Sequence, residues 1–488
     1  MNFILLILGL LLCTANALNR KQKKLMRENF LGNGRRTMAE MNKVHRKLEQ
    51  LRKTTAEVIR QNEEPFFLLS NDNEINLPKQ PKHAMNELMI NKNSILQEYL
   101  YQGDIALTSE QIDEIYRGKE RMKRLAIKDA RWPTSKWPNN TVPYYYDASL
   151  PTKTRQRVRE AMQFWEANTC IRFREDRRGH PSLRLFFGYG CWSYIGRQAQ
   201  WTSQDVSLGQ DCELHFGILT HELMHSLGFF HEHARPDRDD YIYLNSNNIQ
   251  RGRSDQFRKE LLTHKTETVP YEYGSVMHYP TDLFARDKSV PVIYPKDVRH
   301  VNTMGQRNRP SFLDIKQVND LYECHDACNV TLTCLHGGYP HPNDCTKCLC
   351  PQGFGGIDCS DIEEPSSNNK ECGGTLLATD EWQTFSGSVT ANAARYDFMF
   401  STEKCYWHFK APEGKRISIR FQELHTACVT ACTYNSVEIK TKDMAMTGNR
   451  LCCQEDIRSS FVSDDSIAVV GAFSRSGITS FKLQFLAY

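Results

Sequence analysis

The chain opens on an apolar block, Phe3 to Leu12, followed by Ala15-Asn16-Ala17. That run is too short to cross a bilayer, and with the small-residue pattern behind it predicts a signal peptide over 1–17. Further on, Leu25, Met38, Met41, Leu48 and Leu51 stand among charges at irregular helical spacing, so a helical segment is expected there. Val158, Met162 and Trp165 share one face of a predicted helix over 158–168, and Ser182 to Phe187 reads as a strand. From Cys372 the texture changes to short alternating runs at 416–421, 436–440, 466–470 and 481–485, the pattern of an antiparallel sandwich. No later stretch approaches 18 uninterrupted apolar residues, so no membrane span is expected.

Length and charge narrow the picture. At roughly 150 residues per domain, 488 residues predict about three domains. Sixty-two basic against 58 acidic residues leave a net charge of +4, too balanced to argue for a nucleic-acid partner. The basic excess sits in residues 18–124, which carry 21 Lys or Arg, 15 Asp or Glu and no cysteine. This segment ends in Arg121-Met122-Lys123-Arg124, a dibasic pattern of the kind cut by secretory convertases. We therefore expect a propeptide over 18–124 with Arg124 as the activation site and a convertase as partner.

Cysteine usage points the same way. Removing the signal removes Cys13, and the other 16 of the 17 cysteines lie between Cys170 and Cys453. An even number in a secreted chain reads as disulfides. Sequons at Asn139 and Asn329 fit glycosylation on that route. Six cysteines fall within 328–359, a stretch too short to build a core, so bridges must hold it. Residues 361–371 are polar and turn-prone, a linker by composition.

The chemistry concentrates in His221-Glu222-Leu223-Met224-His225-Ser226-Leu227-Gly228-Phe229-Phe230-His231-Glu232. Residues four apart share a helix face, so His221 and His225 can present imidazoles to one zinc ion. Glu222 projects beside that metal, within reach of a proton on its water. Gly228 can take a positive φ and end the helix, and the returning chain can supply His231 as a third nitrogen. Three protein nitrogens leave a coordination position open, the mark of a catalytic rather than a structural zinc.

The run from His221 through Arg235, Asp237, Arg238, Asp239 and Tyr241 resembles the astacin family of zinc endopeptidases, a branch of the metzincins. The family's Met-turn corresponds to Ser275-Val276-Met277-His278-Tyr279. The resemblance implies a secreted peptidase domain over 125–324, one zinc, Met277 as an apolar floor, and Tyr279 as a loose fifth ligand that also assists the oxyanion. It implies Glu222 as the general base toward the zinc-bound water. It implies disulfides Cys170–Cys324 and Cys191–Cys212, although spacing alone leaves all three pairings open. Glu232 would bind the new N-terminus, at Leu125 directly after the dibasic site or at Ala126. Tyr101-Gln102-Gly103-Asp104 fits the family's F-x-G-D with Tyr for Phe, so Asp104 is expected to take the zinc-water position in the zymogen. Read without the resemblance, Asp104 is a loop aspartate in a turn, and Met277 and Tyr279 are core residues. Gly305-Gln306-Arg307-Asn308-Arg309 resembles a segment bordering the substrate pocket, where Arg307 would pair with an acidic side chain.

Residues 325–360 resemble an EGF-like module, implying Cys328–Cys345, Cys334–Cys348 and Cys350–Cys359. Residues 372–488 resemble a CUB domain, implying Cys372–Cys405 and leaving Cys428, Cys432, Cys452 and Cys453 unassigned. Asn435 stands where calcium-binding relatives carry aspartate, so calcium is not expected. The expected fold is therefore multidomain: an α+β metzincin catalytic domain, a small disulfide-rich EGF-like module and an all-β CUB sandwich. The expected function is a secreted, zinc-dependent endopeptidase made as a zymogen, acting on extracellular proteins or peptides. An inert adhesive protein would have lost Glu222 or a histidine, and all are present.

Overall fold

A computed structural model describes residues 24, 29–30, 37–61, 94–121, 136–260, 269–328, 332–366, 369, 372–391, 402–458 and 460–488. The expected signal peptide, Arg124, the start of the mature chain at Leu125 or Ala126, and Asn329 lie outside these residues.

Among the described residues the N-terminal segment carries the helices α1 (Met38–Gln61), the single turn α2 (Ser94–Gln97) and α3 (Ser109–Arg121). Two capping boxes set their starts. The Thr37 hydroxyl accepts from the Glu40 N–H while the Thr37 N–H donates to the Glu40 carboxylate, and Thr108 with Gln111 repeats the exchange. Met41, Leu48 and Leu51 of α1 are buried, and Leu48 and Leu51 share an apolar cluster with Ile112 and Ile115 of α3. Between the helices, strand β1 (Ile105–Ala106) pairs in parallel with the edge of the next domain's sheet.

That sheet also contains β2 (Thr141–Tyr146), β3 (Arg172–Glu175), β4 (Ser182–Phe186), β5 (Cys191–Tyr194) and β6 (Ser203–Leu208), in the order β1-β5-β6-β4-β2-β3. Only β5 and β6 pair antiparallel. Helices α4 (Thr152–Asn168) and α5 (Phe216–Ser226) share one core with it: Val158, Met162 and Trp165 from α4, Leu183, Leu185 and Val206 from the sheet, Leu219 and Leu223 from α5. Helix α4 starts six residues before the sequence pattern does. Its first turns, Thr152 to Arg157, are polar and carry no periodic signal, and Pro151 at the cap sets the entry instead.

A short antiparallel pair, β7 (Ile242–Leu244) with β8 (Ile293–Pro295), and helix α6 (Phe312–Leu321) complete the domain. Two small two-stranded sheets follow within 339–362, with three disulfides. The C-terminal region is a sandwich of a five-stranded and a four-stranded sheet around Trp407, Phe409, Ile419, Phe461, Val470 and Phe485. The disulfides are Cys170–Cys324, Cys191–Cys212, Cys328–Cys345, Cys334–Cys348, Cys350–Cys359, Cys372–Cys405, Cys428–Cys453 and Cys432–Cys452. Among the described residues no helix is long and apolar enough to cross a membrane.

The sandwich packs directly on the peptidase region. Glu272, fully buried, accepts from the Thr447 N–H at 3.0 Å and from the Gly274 N–H at 2.7 Å. The Thr303 hydroxyl donates to the Gly448 carbonyl and accepts from the Arg450 N–H, and the Asn302 amide donates to both oxygens of Asp456.

Candidate metal centre

Helix α5 is buried on every side from Gly217 to Ser226, so its polar residues need a specific reason to be there. Two indole N–H groups tie it down: Trp165 donates to the Thr220 carbonyl and Trp137 to the Ser226 carbonyl. Gly228 ends the helix at φ +114, a conformation that favours glycine, and its N–H returns to the His225 carbonyl. The chain then turns back and brings His231 beside the helical pair. The imidazole rings of His221, His225 and His231 lie 4.5 to 5.3 Å apart by centroid.

Each imidazole is oriented from behind. Nδ1 of His221 bonds the Val276 carbonyl at 2.8 Å, Nδ1 of His225 the Phe229 carbonyl at 2.7 Å, and Nδ1 of His231 the Gln102 side-chain oxygen at 3.0 Å. An acceptor at Nδ1 places the proton there and leaves the lone pair on Nε2. Burial pushes His221 down to about 3 and His231 to about 4, so both are neutral at ordinary pH.

The three Nε2 atoms converge on the carboxylate of Asp104, at 3.3, 3.6 and 3.2 Å for His221, His225 and His231. Nε2 of His225, Nε2 of His231 and Oδ1 of Asp104 are buried without a hydrogen-bond partner. Lone pairs facing a carboxylate repel unless a cation lies between them, and four donor atoms within 4.8 Å of one another suit one. The donor set, three imidazoles and a carboxylate, fits zinc.

Glu222 follows His221 on the helix and is 2% exposed, with Oε2 unpartnered. Burial first, then the negative charge of Asp104, raises its carboxyl well above the usual range. Tyr279 stacks on His233 at 3.7 Å and lies 4.7 Å from the His231 ring, while its hydroxyl donates to the Gln102 carbonyl. Met277 is buried in the core that includes Leu219 and Leu223. Glu232 accepts from Arg235 at 3.1 Å and from the Glu272 N–H at 2.9 Å, and burial pushes it up to about 7. Arg307 is 5% exposed and donates to the carbonyls of His278 and Gln306. It packs on the start of α5, where a Cβ on Gly217 would lie 2.3 Å from its backbone. Asn139 is exposed on the surface.

Several supporting residues escaped the sequence reading. Asp314 accepts from the Ser275 hydroxyl and the Val276 N–H, and so holds the turn that carries Met277. The signal was present: Ser311 and Asp314 form a capping box at the start of α6. Gln102 lies inside the quoted Tyr101–Asp104 stretch, but nothing in its type announces a contact to His231. Glu260 has no motif at all, and only the fold brings it to Tyr101.

Known proteins of similar sequence are zinc metalloproteinases. Residues 129–323 match the peptidase family described as Astacin, and residues 372–485 match the CUB domain. The chain is 40% identical over 415 residues to zinc metalloproteinase nas-27 of Caenorhabditis elegans, covering 82% of this chain and 93% of that protein. It is 34% identical over 417 residues to zinc metalloproteinase nas-28 of the same organism, covering 83% and 82%. Among solved structures it is similar to high choriolytic enzyme 1, a hatching enzyme zinc-protease from the medaka fish Oryzias latipes. There the identity is 32%, the coverage 38% of this chain and 92% of that one, and the TM-score 0.36.

Proposed function

The chain belongs to the astacin family of zinc metalloendopeptidases and carries a CUB domain, and from that premise we propose that it is a secreted zymogen. Removal of residues 18–124 after Arg124 frees the cleft, and Glu222 then serves as general base. The observation that carries this reading is the Asp104 carboxylate facing three Nε2 atoms at 3.2 to 3.6 Å. It stands where an attacking water would have to be.

His221, His225 and His231 would hold one zinc. When bound, zinc polarises the scissile carbonyl and makes water a better nucleophile near neutral pH. Glu222 takes a proton from the attacking water and returns it to the leaving amine. Once Gln102 has left, the Tyr279 hydroxyl donates to the oxyanion that develops on the carbonyl oxygen. Glu232, released from the approach of Arg235, receives the new N-terminus at Leu125 or Ala126. Arg307 reaches the substrate only if it exchanges its bonds to His278 and Gln306 for a substrate carboxylate. Cysteine pairing and the exposed sequon at Asn139 support the secretory route.

The test is hydrolysis of a denatured protein by the processed chain. Glu222→Gln should lower the rate about 10²- to 10⁴-fold. Chelation should abolish it and zinc should restore it. Undiminished activity in Glu222→Gln would overturn the assignment.

A further inference from the structure

Four ionisable side chains of the peptidase domain, spaced along Arg253 to Glu260, take partners from the N-terminal segment. Arg253 donates to the Gln97 side chain at 2.6 Å. Asp255 accepts from Arg52 at 3.2 Å. Arg258 donates to the Ile115 carbonyl at 3.2 Å. Glu260 accepts from the Tyr101 hydroxyl, and more distantly from the Gln102 amide at 3.4 Å. Asp255 and Glu260 are 2% and 1% exposed, so the segment covers both carboxylates.

Glu260 stands out by its place. Tyr101 is fully buried in one apolar cluster with Ile195 and Phe230, the residues that follow β5 and precede His231. Its neighbour Gln102 touches His231 on one side and Arg258 and Glu260 on the other. Three residues beyond Tyr101, Asp104 faces the three histidines. The segment enters the cleft as a tight turn, with Tyr101 and Ile105 bonded backbone to backbone across Gln102 to Asp104 and positive φ at Gln102 and Gly103. It then pairs with β5 at Ser193 and Tyr194, and seats one phenol on one carboxylate about 10 Å or less along the chain from Asp104. When the segment leaves, the carboxylate it covered is open to a donor from whatever enters the cleft. Burial pushes Glu260 up to about 7, and the Tyr101 hydrogen bond opposes that shift.

We propose that Glu260 is a specificity-determining residue of the processed enzyme. When the segment leaves, the position of Tyr101 becomes a subsite that takes a tyrosine side chain of the substrate, with its hydroxyl donating to Glu260 and its ring against Ile195 and Phe230. This rests on the peptidase reading above, since it needs the segment removed.

Two measurements test it. The first is binding of a synthetic peptide of residues 95–107 to the processed, zinc-loaded chain carrying Glu222→Gln, so that nothing is cleaved. Replacing Tyr101 by Phe in the peptide should weaken binding about tenfold or more, because the bound peptide then covers the Glu260 carboxylate without the phenol that donates to it. Against Glu260→Ala the same change should matter less than about twofold, and Glu260→Gln, which keeps the shape, should fall between. The second compares kcat/KM for substrate peptides with Tyr or Phe at each position within four residues of the cut. One position should favour Tyr about tenfold in the wild type, and Glu260→Ala should remove that ratio. Equal binding of the Tyr and Phe peptides, or a Tyr preference that survives Glu260→Ala, would overturn the proposal. A preference at that position for Lys or Arg over Tyr would replace the phenol with a cation and overturn it in the form stated. Discrimination in binding with no hydrolysis of any peptide supports the subsite and counts against the peptidase reading.

Discussion

Two parts of the chain cover the peptidase domain, and they hold it differently. The N-terminal segment grips mainly through side chains: Asp104 to the histidines, Tyr101 to Glu260, Arg52 to Asp255, Gln97 to Arg253. Water or a substrate can replace each of these in turn. The CUB domain grips largely through its backbone, with Asp456 on the Asn302 amide and Lys442 beside Asp297 as side-chain contacts. Its Thr447 N–H ends on the buried Glu272 carboxylate, its Gly448 carbonyl and Arg450 N–H share the Thr303 hydroxyl, and Thr447 lies against Gly274 with no room for a Cβ. Opening that face strands a buried carboxylate and several backbone groups at once. The first contact is built to be exchanged and the second to stay. The CUB domain also sits on the turn that leads into Ser275 to Tyr279, so it is part of the frame of the cleft.

The largest expected effect is on the exchangeable side. In an uncleavable chain carrying Arg124→Ala, Asp104→Ala should raise hydrolysis about 10- to 100-fold, because a carboxylate held among charged or metal-bound groups contributes roughly 1.5–3 kcal/mol. The measurement is the rate on a denatured protein with processing checked by mass. A chain that stays as inert as its parent would mean that the helices α1 and α3 block the cleft by themselves, and the contrast would rest on bulk rather than on exchange.

On the fixed side, Gly274→Val should lower stability by about 1–3 kcal/mol, since a Cβ there meets Thr447 at 2.4 Å. The readout is the thermal midpoint, together with protease sensitivity of the stretch joining the two domains. An unchanged midpoint with a detached CUB domain would show that the interface contributes little.

Much of this was legible in advance, for physical reasons that differ by residue. His221, Glu222, His225 and His231 announce themselves because one helix and one turn bring them together, and local spacing encodes local geometry. The alternating runs from 416 onward predict the sandwich, and four of its nine described strands lie there, at Ile417–His425, Asn435–Lys440, Ile467–Ser474 and Gly477–Ala487. Gln102 on His231, Glu260 on Tyr101 and Glu272 on Thr447 were not legible. Each contact spans more than a hundred residues and depends on how separate units pack, and no periodicity records that. Arg307 teaches a related point: the resemblance sets it beside the substrate pocket to meet an acidic side chain, and the fold buries it on the backbone of its own domain.

A smaller effect concerns pH. Burial pushes Glu272 up to about 8 from 4.5, with Asp314 and Glu232 adding to the rise and the Thr447 and Gly274 N–H groups opposing it. Lys440 of the CUB domain carries the nearby positive charge. The folded state binds this proton more tightly than the unfolded chain does. Its contribution is therefore full below about pH 4.5 and is lost as pH rises through about 8. Glu272→Gln should flatten the decline of the thermal midpoint between pH 5 and pH 8. A slope equal to that of the wild type would assign the decline to other groups.

The smallest expected effect returns to the exchangeable side. Arg52→Met removes the cation at Asp255, but Gln256 still donates to the same carboxylate oxygen at 2.8 Å and Arg253 remains nearby. Arg52 is itself partly exposed, so water shares its charge. The cleaved segment should therefore be held only severalfold more weakly, roughly 1 kcal/mol. The measurement is the rate at which it separates from the peptidase after cutting at Arg124. A loss as large as that of Asp104→Ala would mean that the grip is cooperative, that its contacts open together rather than in turn, and that the two faces of the peptidase domain differ in strength rather than in kind.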